Sequence, residues 1–324
     1  MNLKKMTAFL LTGTMLFALA GCKKEEAKPK TSNNGDKVVF TVGDQTVTKA
    51  EYEAYISLYT QNGYSFDMAK DYAKEDVTNN VAMIALVNKQ GGFSDDEKKQ
   101  IEDAKKNVVT NQGGEEAYQK FLDQLGVDDS FIEKSIQAQY AQAKLFDNDY
   151  SDDAIKAYFN DNYLRAKHIL LMTQNQETGE AYDDAKKEEI KKQAEELLSR
   201  AKGGEDFDAM IAEYSEDPGS KSNPDGYYFT AGEMVSEFEN CTRELEMGGF
   251  GLCESTYGYH IIQRLPLEDS KNADLYNTQL DGVKDKIKTS LTQQSVEEKL
   301  PELLKENGLE IVTDEKVLNS VKEK

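Results

Sequence analysis

The sequence contains only two histidines, His168 and His260, and each lies within an apolar run typical of a β-strand. Imidazole is the side chain best suited to acid–base work near neutral pH, so any such mechanism here uses one or both of these residues. A buried imidazole also needs hydrogen-bond partners, because an unpaired polar group inside a protein is costly. The residues alone therefore leave open whether the two histidines are structural or belong to a site.

The sequence lacks the motifs of several common chemistries. It has no GxxxxGK[ST], no GxGxxG after a strand, no HExxH and no GxSxG, which argues against nucleotide binding, zinc proteolysis and serine hydrolysis. Cys241 and Cys253 would complete a Cys2His2 set with the histidines, but there is no CxxC pair and the spacing is not that of a compact zinc site. We therefore expect no metal and no cofactor. In an exported chain, these two cysteines would be either a disulfide or free buried thiols.

An apolar group and one acidic turn residue are the other candidates for a site. Met234 and Phe238 stand four residues apart after a glycine, so on one helix they would share a face, and Phe229 precedes them. Composition alone favours a core role for all three residues. Asp217 precedes Pro and Gly, which is also ordinary turn chemistry.

The composition limits the partners of the protein. The 324 residues include 39 basic and 60 acidic side chains, giving a formal net charge of −21. Such an excess of negative charge repels phosphate backbones, so we expect no nucleic-acid partner. With 38% hydrophobic residues, the chain has enough apolar side chains for the cores of about two domains.

The N-terminus indicates export. Lys4 and Lys5 precede an apolar run that ends in L-A-G-C at Cys22. This run is short for a membrane span and typical of a signal peptide, which we assign to residues 1–21. The L-A-G-C order resembles a lipobox and predicts a lipidated Cys22, with residues 22–36 as the lipidated end and flexible tether. An ordinary cleaved signal or a short anchor helix is the alternative.

Three further segments follow the tether. Residues 37–162 begin with a short strand and then follow a mostly helical pattern, in which a tyrosine-rich stripe (Tyr52, Tyr55, Ile56, Tyr59) is either a peptide-binding surface or, as we favour, core. Residues 163–267 read as α+β, with two apolar strands and an amphipathic helix that ends at Gly203. Residues 268–324 return to helix and finish in a strand-like end.

Four blocks of the middle segment carry a family resemblance. In order and spacing, RAKHILL, DFDAMIAEYSEDPGS, GYYFTAGEMVSEFE and STYGYHIIQRL resemble the parvulin family of peptidyl-prolyl isomerases, and VGDQTVTKAEYEAY resembles the opening of PrsA- and SurA-type foldases. The resemblance implies an α+β fold. A parvulin-like domain, a small antiparallel sheet with surrounding helices, is inserted between mostly α-helical N- and C-terminal segments. These two segments pack together as a chaperone-like lobe.

The resemblance also implies which polar residues form the site. His168 and His260 match the family's two histidines, which hydrogen-bond each other at the base of the site. Asp217 matches the position beside the substrate carbonyl, where a carboxylate can tune the polarity felt by a twisting amide. Ser255 is expected to hydrogen-bond near the histidines. We assign the histidines a supporting role in the geometry of the site and not the role of general base.

For the substrate-binding surface, the resemblance places Phe229, Met234 and Phe238 in the proline pocket. The chain departs from the family at residues 223–229, which read NPDGYYF where many parvulins have GGDLGxF. The pocket Leu is therefore expected to be replaced by Gly226, and Tyr227 could fill the gap.

The implied protein is a foldase held by the lipid of Cys22 on the outer face of a Gram-positive cell membrane. It would isomerise X-Pro bonds in unfolded or partly folded exported polypeptides, a reaction that needs no nucleophile because no covalent bond breaks. The departure at Gly226 leaves an alternative open, in which a degenerate parvulin domain belongs to a non-catalytic holdase chaperone. A substrate-binding lipoprotein for transport is less favoured, because its two α/β lobes are not visible. Whether the chain forms a homodimer is left open.

Overall fold

The computed structural model describes residues 37–146, 150–268 and 273–323. The predicted signal peptide, Cys22 and tether lie outside these residues. The described residues divide into two compact units, the first formed by 37–146 together with 289–323, and the second by 150–268 together with 273–288. Within the described ranges, no helix combines the length and the apolar character needed to cross a membrane.

The first unit is a small sheet with a set of helices. Strands β1 (Val38–Val42) and β2 (Gln45–Thr48) form a hairpin, and β1 also pairs with β7 (Ile311–Thr313), so that all neighbours are antiparallel. The N-terminal helices of this unit are α1 (Lys49–Gln61), α2 (Phe66–Lys89), α3 (Asp95–Asn111), α4 (Glu115–Leu125) and α5 (Asp129–Leu145). The end of α10 (Ala273–Glu306) and the short α11 (Glu315–Leu318) complete it.

The tyrosine-rich stripe of α1 is core, as favoured above. All four of its residues are buried, and they meet a polar group that is buried as well. The hydroxyl of Tyr59 donates to Oδ2 of Asp76 at 2.5 Å, while Oδ1 of Asp76 has no hydrogen-bond partner. Burial raises the pKa of Asp76 well above its ordinary value, against the opposing effect of the bond from Tyr59. The first unit therefore contains a buried carboxyl group whose protonated form is favoured by folding.

The second unit is built on a four-stranded antiparallel sheet in the order β4-β3-β6-β5. Its elements, in chain order, are α6 (Asp152–Asn162), β3 (Tyr163–Met172), α7 (Asp184–Lys202), α8 (Phe207–Tyr214), β4 (Tyr227–Thr230), α9 (Ser236–Glu244), β5 (Phe250–Glu254), β6 (Gly258–Leu265) and the first part of α10. The α+β class predicted from the sequence is confirmed.

The second unit extends beyond the predicted limits of 163 and 267 at both ends. The reason is aromatic packing around Phe159 of α6, which is fully buried. Its ring centroid lies 4.6 Å from that of Tyr163 at the start of β3 and 5.4 Å from that of Tyr276 in α10. These contacts attach α6 and the beginning of α10 to the sheet.

The two faces of this sheet have different partners, because side chains alternate along each strand. Ile169, Leu171 and Ile261 lie on the face that packs against α7 and α8. Leu164 and Ile262 lie on the opposite face, in a smaller cluster with residues of α9. Residues 168 and 260 have the same parity as this second set, so both histidines face α9.

Candidate active site

The strand register brings the two histidines together. In the antiparallel pairing of β3 with β6, His168 is opposite Ile262 and Leu170 is opposite His260. The histidines are thus diagonal neighbours on one face of the sheet, a placement at which large side chains touch. Their ring centroids lie 5.3 Å apart, with an angle of 76° between the ring planes.

Each histidine is held by a hydrogen bond to a loop residue and not by the other histidine. Nε2 of His168 lies 3.0 Å from Oδ2 of Asp217, and Nε2 of His260 lies 2.7 Å from Oγ of Ser255. Nδ1 of each ring is buried without a hydrogen-bond partner. The direct bond between the histidines that the resemblance implied is therefore not formed here, because the rings meet edge to face and each Nε2 is directed to its own loop.

Asp217 collects four donors. Besides His168, its carboxylate accepts hydrogen bonds from the hydroxyl of Tyr227 at 2.6 Å, the hydroxyl of Ser220 at 3.0 Å and the backbone N–H of Gly219 at 3.0 Å. Burial raises the pKa of Asp217, but the bonds from His168, Tyr227 and Gly219 outweigh burial and hold the pKa well below its ordinary value. An ionised carboxylate only accepts hydrogen bonds, so Nε2 of His168 carries the proton.

His260 is neutral at physiological pH. Burial and, after it, the neighbouring His168 together lower the pKa of His260 to about 4. A ring with this pKa is neutral at pH 7 and is not suited to act as a general acid. The electrostatics therefore favour the supporting role assigned to this residue above.

The aromatic floor of the site is Phe238, which lies under both histidines. Its ring centroid is 5.0 Å from that of His168, 5.5 Å from that of His260 and 5.6 Å from that of Phe229. Phe238 is 2% exposed and Phe229 is 0% exposed. Both rings are therefore buried in this conformation and support the histidines from beneath, so neither offers open surface to a prolyl ring as the resemblance implied.

Met234 lies on the surface of this cluster, but it does not share a helix with Phe238 as predicted. Helix α9 begins only at Ser236, and Met234 belongs to the turn before it. This turn is closed by side chains, because Glu233 accepts from the N–H of Thr230 at 2.9 Å and Glu239 accepts from the N–H of Gly232 at 3.0 Å. Met234 is half-buried and packs against the apolar cluster that contains Phe238.

Gly226 is not a pocket position that has lost its side chain. A Cβ atom there would lie 2.8 Å from the carbonyl oxygen of Ala166, and the φ angle is +93°. The residue is therefore a close approach of the loop to β3, where a leucine does not fit, and the expected loss of a pocket wall is wrong for this position. Tyr227, the next residue, lies beside the histidines, since its ring stacks on that of His168 with centroids 5.6 Å apart at 23°.

Several residues that position the site were missed in the sequence. Gly219 leaves space for the hydroxyl of Tyr227, because a Cβ atom at Gly219 would lie 2.3 Å from that oxygen. The Asp-Pro-Gly turn gave a signal for this, since an Asp side chain commonly accepts from the N–H two residues later. Arg165 gave none. It is buried and donates to the carbonyl of Asp225 from Nε at 3.0 Å and from Nη2 at 2.7 Å, which fixes the loop before β4.

Cys241 on α9 and Cys253 on β5 are both free thiols. Of the two alternatives left open by the sequence, the structure contains the free thiols and no disulfide between them. Both side chains are half-buried and pack against the cluster around Phe238.

Comparisons with known proteins show which proteins this chain is similar to. Residues 153–265, which run from α6 to the end of β6, match the PPIC-type PPIase domain. A foldase protein PrsA from Geobacillus sp. is 27% identical over 293 residues, covering 86% of this chain and 90% of the relative. Foldase protein PrsA 1 of Bacillus cereus is 28% identical over 298 residues, covering 91% and 85%. A crystal structure of a peptidylprolyl isomerase (PrsA) from Bacillus cereus aligns with 23% identity and a TM-score of 0.40, covering 89% of this chain and 97% of that one.

Proposed function

We propose that this chain, which contains a PPIC-type PPIase domain and is similar to PrsA foldases, is a peptidyl-prolyl isomerase that acts on X-Pro bonds in exported polypeptides and assists their folding. The observation that carries the proposal is the convergence, over the Phe238 floor, of an ionised Asp217 with an apolar wall. Tyr227 contacts Asp217 directly, and Met234 packs against the apolar cluster that contains Phe238.

Catalysis of this reaction requires only a binding surface of suitable shape and electrostatics. Rotation about an X-Pro bond passes a barrier of about 20 kcal/mol, at which amide resonance is lost and no covalent bond is broken. A catalyst must therefore bind the twisted amide better than either planar form. The carbonyl oxygen carries more negative charge in the planar amide than in the twisted one.

Asp217 is suited to exploit that difference in charge. Its four donors keep it ionised in a half-buried position, so a carbonyl placed beside it is disfavoured most when the amide is planar. The prolyl ring would pack on Met234 and Tyr227, which removes water and strengthens the electrostatic effect. In this mechanism His168 orients Asp217, and no residue transfers a proton to the substrate.

The location of the protein is part of the proposal. The L-A-G-C sequence at Cys22 supports lipidation and anchoring outside the cytoplasmic membrane. The first unit would then be the chaperone-like lobe and the second unit the isomerase domain.

A second candidate function is holding of unfolded clients by the first unit. A cavity of about 570 Å³ lies among α3, α5 and the loop after α2, and two buried side chains, Phe93 and Ile101, are part of its lining. Charged side chains at the same cavity, Lys98, Glu102, Lys105 and Glu133, would keep the lobe soluble. Such a surface is suited to an apolar segment of an unfolded chain.

One experiment separates the two functions. The full chain carrying Cys22→Ser is assayed for isomerisation of a prolyl tetrapeptide and for suppression of aggregation of a proline-free client. We expect turnover in the parent protein and its loss in Asp217→Ala and Met234→Ala, with suppression of aggregation retained. A parent protein that suppresses aggregation without any turnover would establish the holdase and refute the isomerase.

A further inference from the structure

The two free thiols lie against each other where α9 crosses β5. A Cβ atom placed on Gly251 of β5 would lie 3.4 Å from Sγ of Cys241. Cys253 is two residues further along the same strand, so its side chain is on the same face as that position. Both side chains pack against the same apolar cluster, and each thiol lies near enough to the other to shift its pKa.

These cysteines connect the two elements that support the floor of the site. Phe238 precedes Cys241 by one turn of α9, and Cys253 is the pairing partner of His260 in the β5–β6 ladder. Helix α9 has nine residues and no side-chain hydrogen bond at its N-cap, Val235. A helix this short depends on tertiary packing for its stability. A covalent bond from α9 to β5 would therefore act directly on the position of Phe238.

We propose that Cys241 and Cys253 are a disulfide-forming site whose oxidation clamps α9 to β5 and holds the Phe238 floor in place. The oxidant is a small-molecule disulfide. The thiolate of Cys241 attacks one sulfur of that disulfide and releases one thiol, and Cys253 then loses its proton, attacks Sγ of Cys241 and releases the second. The protein dithiol loses two electrons and two protons, and the external disulfide is reduced to two thiols.

The environment of the pair assigns the order of these steps. The interaction with Cys253 lowers the pKa of Cys241, whereas the interaction with Cys241 and, after it, burial raise the pKa of Cys253. The thiolate is the attacking form of a cysteine, so Cys241 reacts first. Both side chains are only half-buried, which leaves a path for a small disulfide.

The test uses the full chain with Cys22→Ser, so that only the two thiols remain. It is equilibrated with mixtures of oxidised and reduced glutathione, and thiol content, intact mass and amide hydrogen exchange of residues 236–244 are measured. We expect both thiols to disappear together with a loss of two hydrogens in mass. Closing a loop of this length should slow the local opening of α9 on the order of 100-fold.

Single variants provide the controls. Cys241→Ser and Cys253→Ser should each bind one glutathione and show exchange in α9 equal to that of the reduced parent. The double variant Cys241→Ala/Cys253→Ala shows whether the fold tolerates loss of the pair, and its exchange should not respond to glutathione. Glutathione adducts or intermolecular dimers of the parent in place of the internal bond would overturn the proposal, as would an internal bond that leaves exchange in α9 unchanged. None of these measurements depends on isomerase activity.

Discussion

Replacing Tyr227 by Phe removes one hydroxyl group from the site and keeps the aromatic ring. The hydroxyl donates to Asp217 at 2.6 Å, and the ring stacks on His168. A hydrogen bond to a charged group contributes about 1.5–3 kcal/mol net. Because Asp217 keeps three other donors, we take the lower part of that range, about 1.5–2 kcal/mol, which corresponds to a fall of about 10- to 30-fold in kcat/KM.

The same substitution should change the pH dependence. With one donor fewer, burial is opposed less strongly, so the pKa of Asp217 rises towards its ordinary value. The carboxylate is then lost at a higher pH, and the acid limb of the kcat/KM profile moves upward. The stability contributed by Asp217 is present above the pKa of an unfolded Asp, about 3.9, and is lost as pH falls through the folded value. In the variant this loss also begins at a higher pH.

The matched control is Tyr228→Phe, one residue along β4 and on the opposite face of the sheet. The hydroxyl of Tyr228 donates to the carbonyl of Leu267 at 2.7 Å, a neutral bond worth about 0.5–1.5 kcal/mol. This control should lose a little stability and keep its turnover and acid limb. In the tetrapeptide assay, a Tyr227→Phe variant within twofold of the parent, with the same acid limb, would refute the role given to the hydroxyl.

Three further perturbations test the fold and the site. In urea unfolding, Gly226→Ala should destabilise the second unit by about 1–3 kcal/mol more than Gly204→Ala does. Both residues have a positive φ, but of the two only Gly226 faces a backbone oxygen within 4 Å. Equal losses of stability in the two variants would contradict the close approach at Gly226. The pKa of Asp76 is raised in the folded protein, so above about pH 4 folding takes up a proton and the unfolding free energy falls by up to about 1.4 kcal/mol per pH unit. Asp76→Asn should remove this fall, whereas the exposed Asp71→Asn should leave it unchanged. Phe238→Ala and Phe207→Ala each remove a buried ring at about 3–5 kcal/mol, yet only Phe238→Ala should abolish turnover in cold assays where both variants are folded.

Local patterns in the sequence predicted much of this molecule. The apolar runs in RAKHILL and YGYHIIQRL predicted two strands with one histidine each, and the structure has both strands, β3 and β6. The contact between the histidines was a different matter. That contact depends on the register of β3 against β6. Because strands far apart in the sequence set this register, the contact was predicted from family resemblance and not from residue spacing.

The errors at Met234 and Gly226 have a common physical origin. Each position was predicted from residue type and spacing, but its structure is set by contacts of the backbone. Met234 and Phe238 were placed on one helix by their spacing, but the carboxylates of Glu233 and Glu239 close a turn that delays the helix. Gly226 was aligned with a pocket leucine, but the space that a side chain would need there is occupied by the carbonyl of Ala166. Neither backbone approach leaves a periodic signal in the sequence.

The charge at Asp217 bears on whether the second unit is an enzyme or a degenerate binding module. A half-buried carboxylate costs free energy unless donors compensate it, and here the donors come from three separate segments: His168 on β3, Tyr227 on β4, and Gly219 with Ser220 in the loop. A surface that only held apolar peptides would be as well served by an apolar residue at that position. An ionised group so fully supported beside an apolar wall is what stabilisation of a twisted amide requires, and this favours the isomerase over the holdase for this unit.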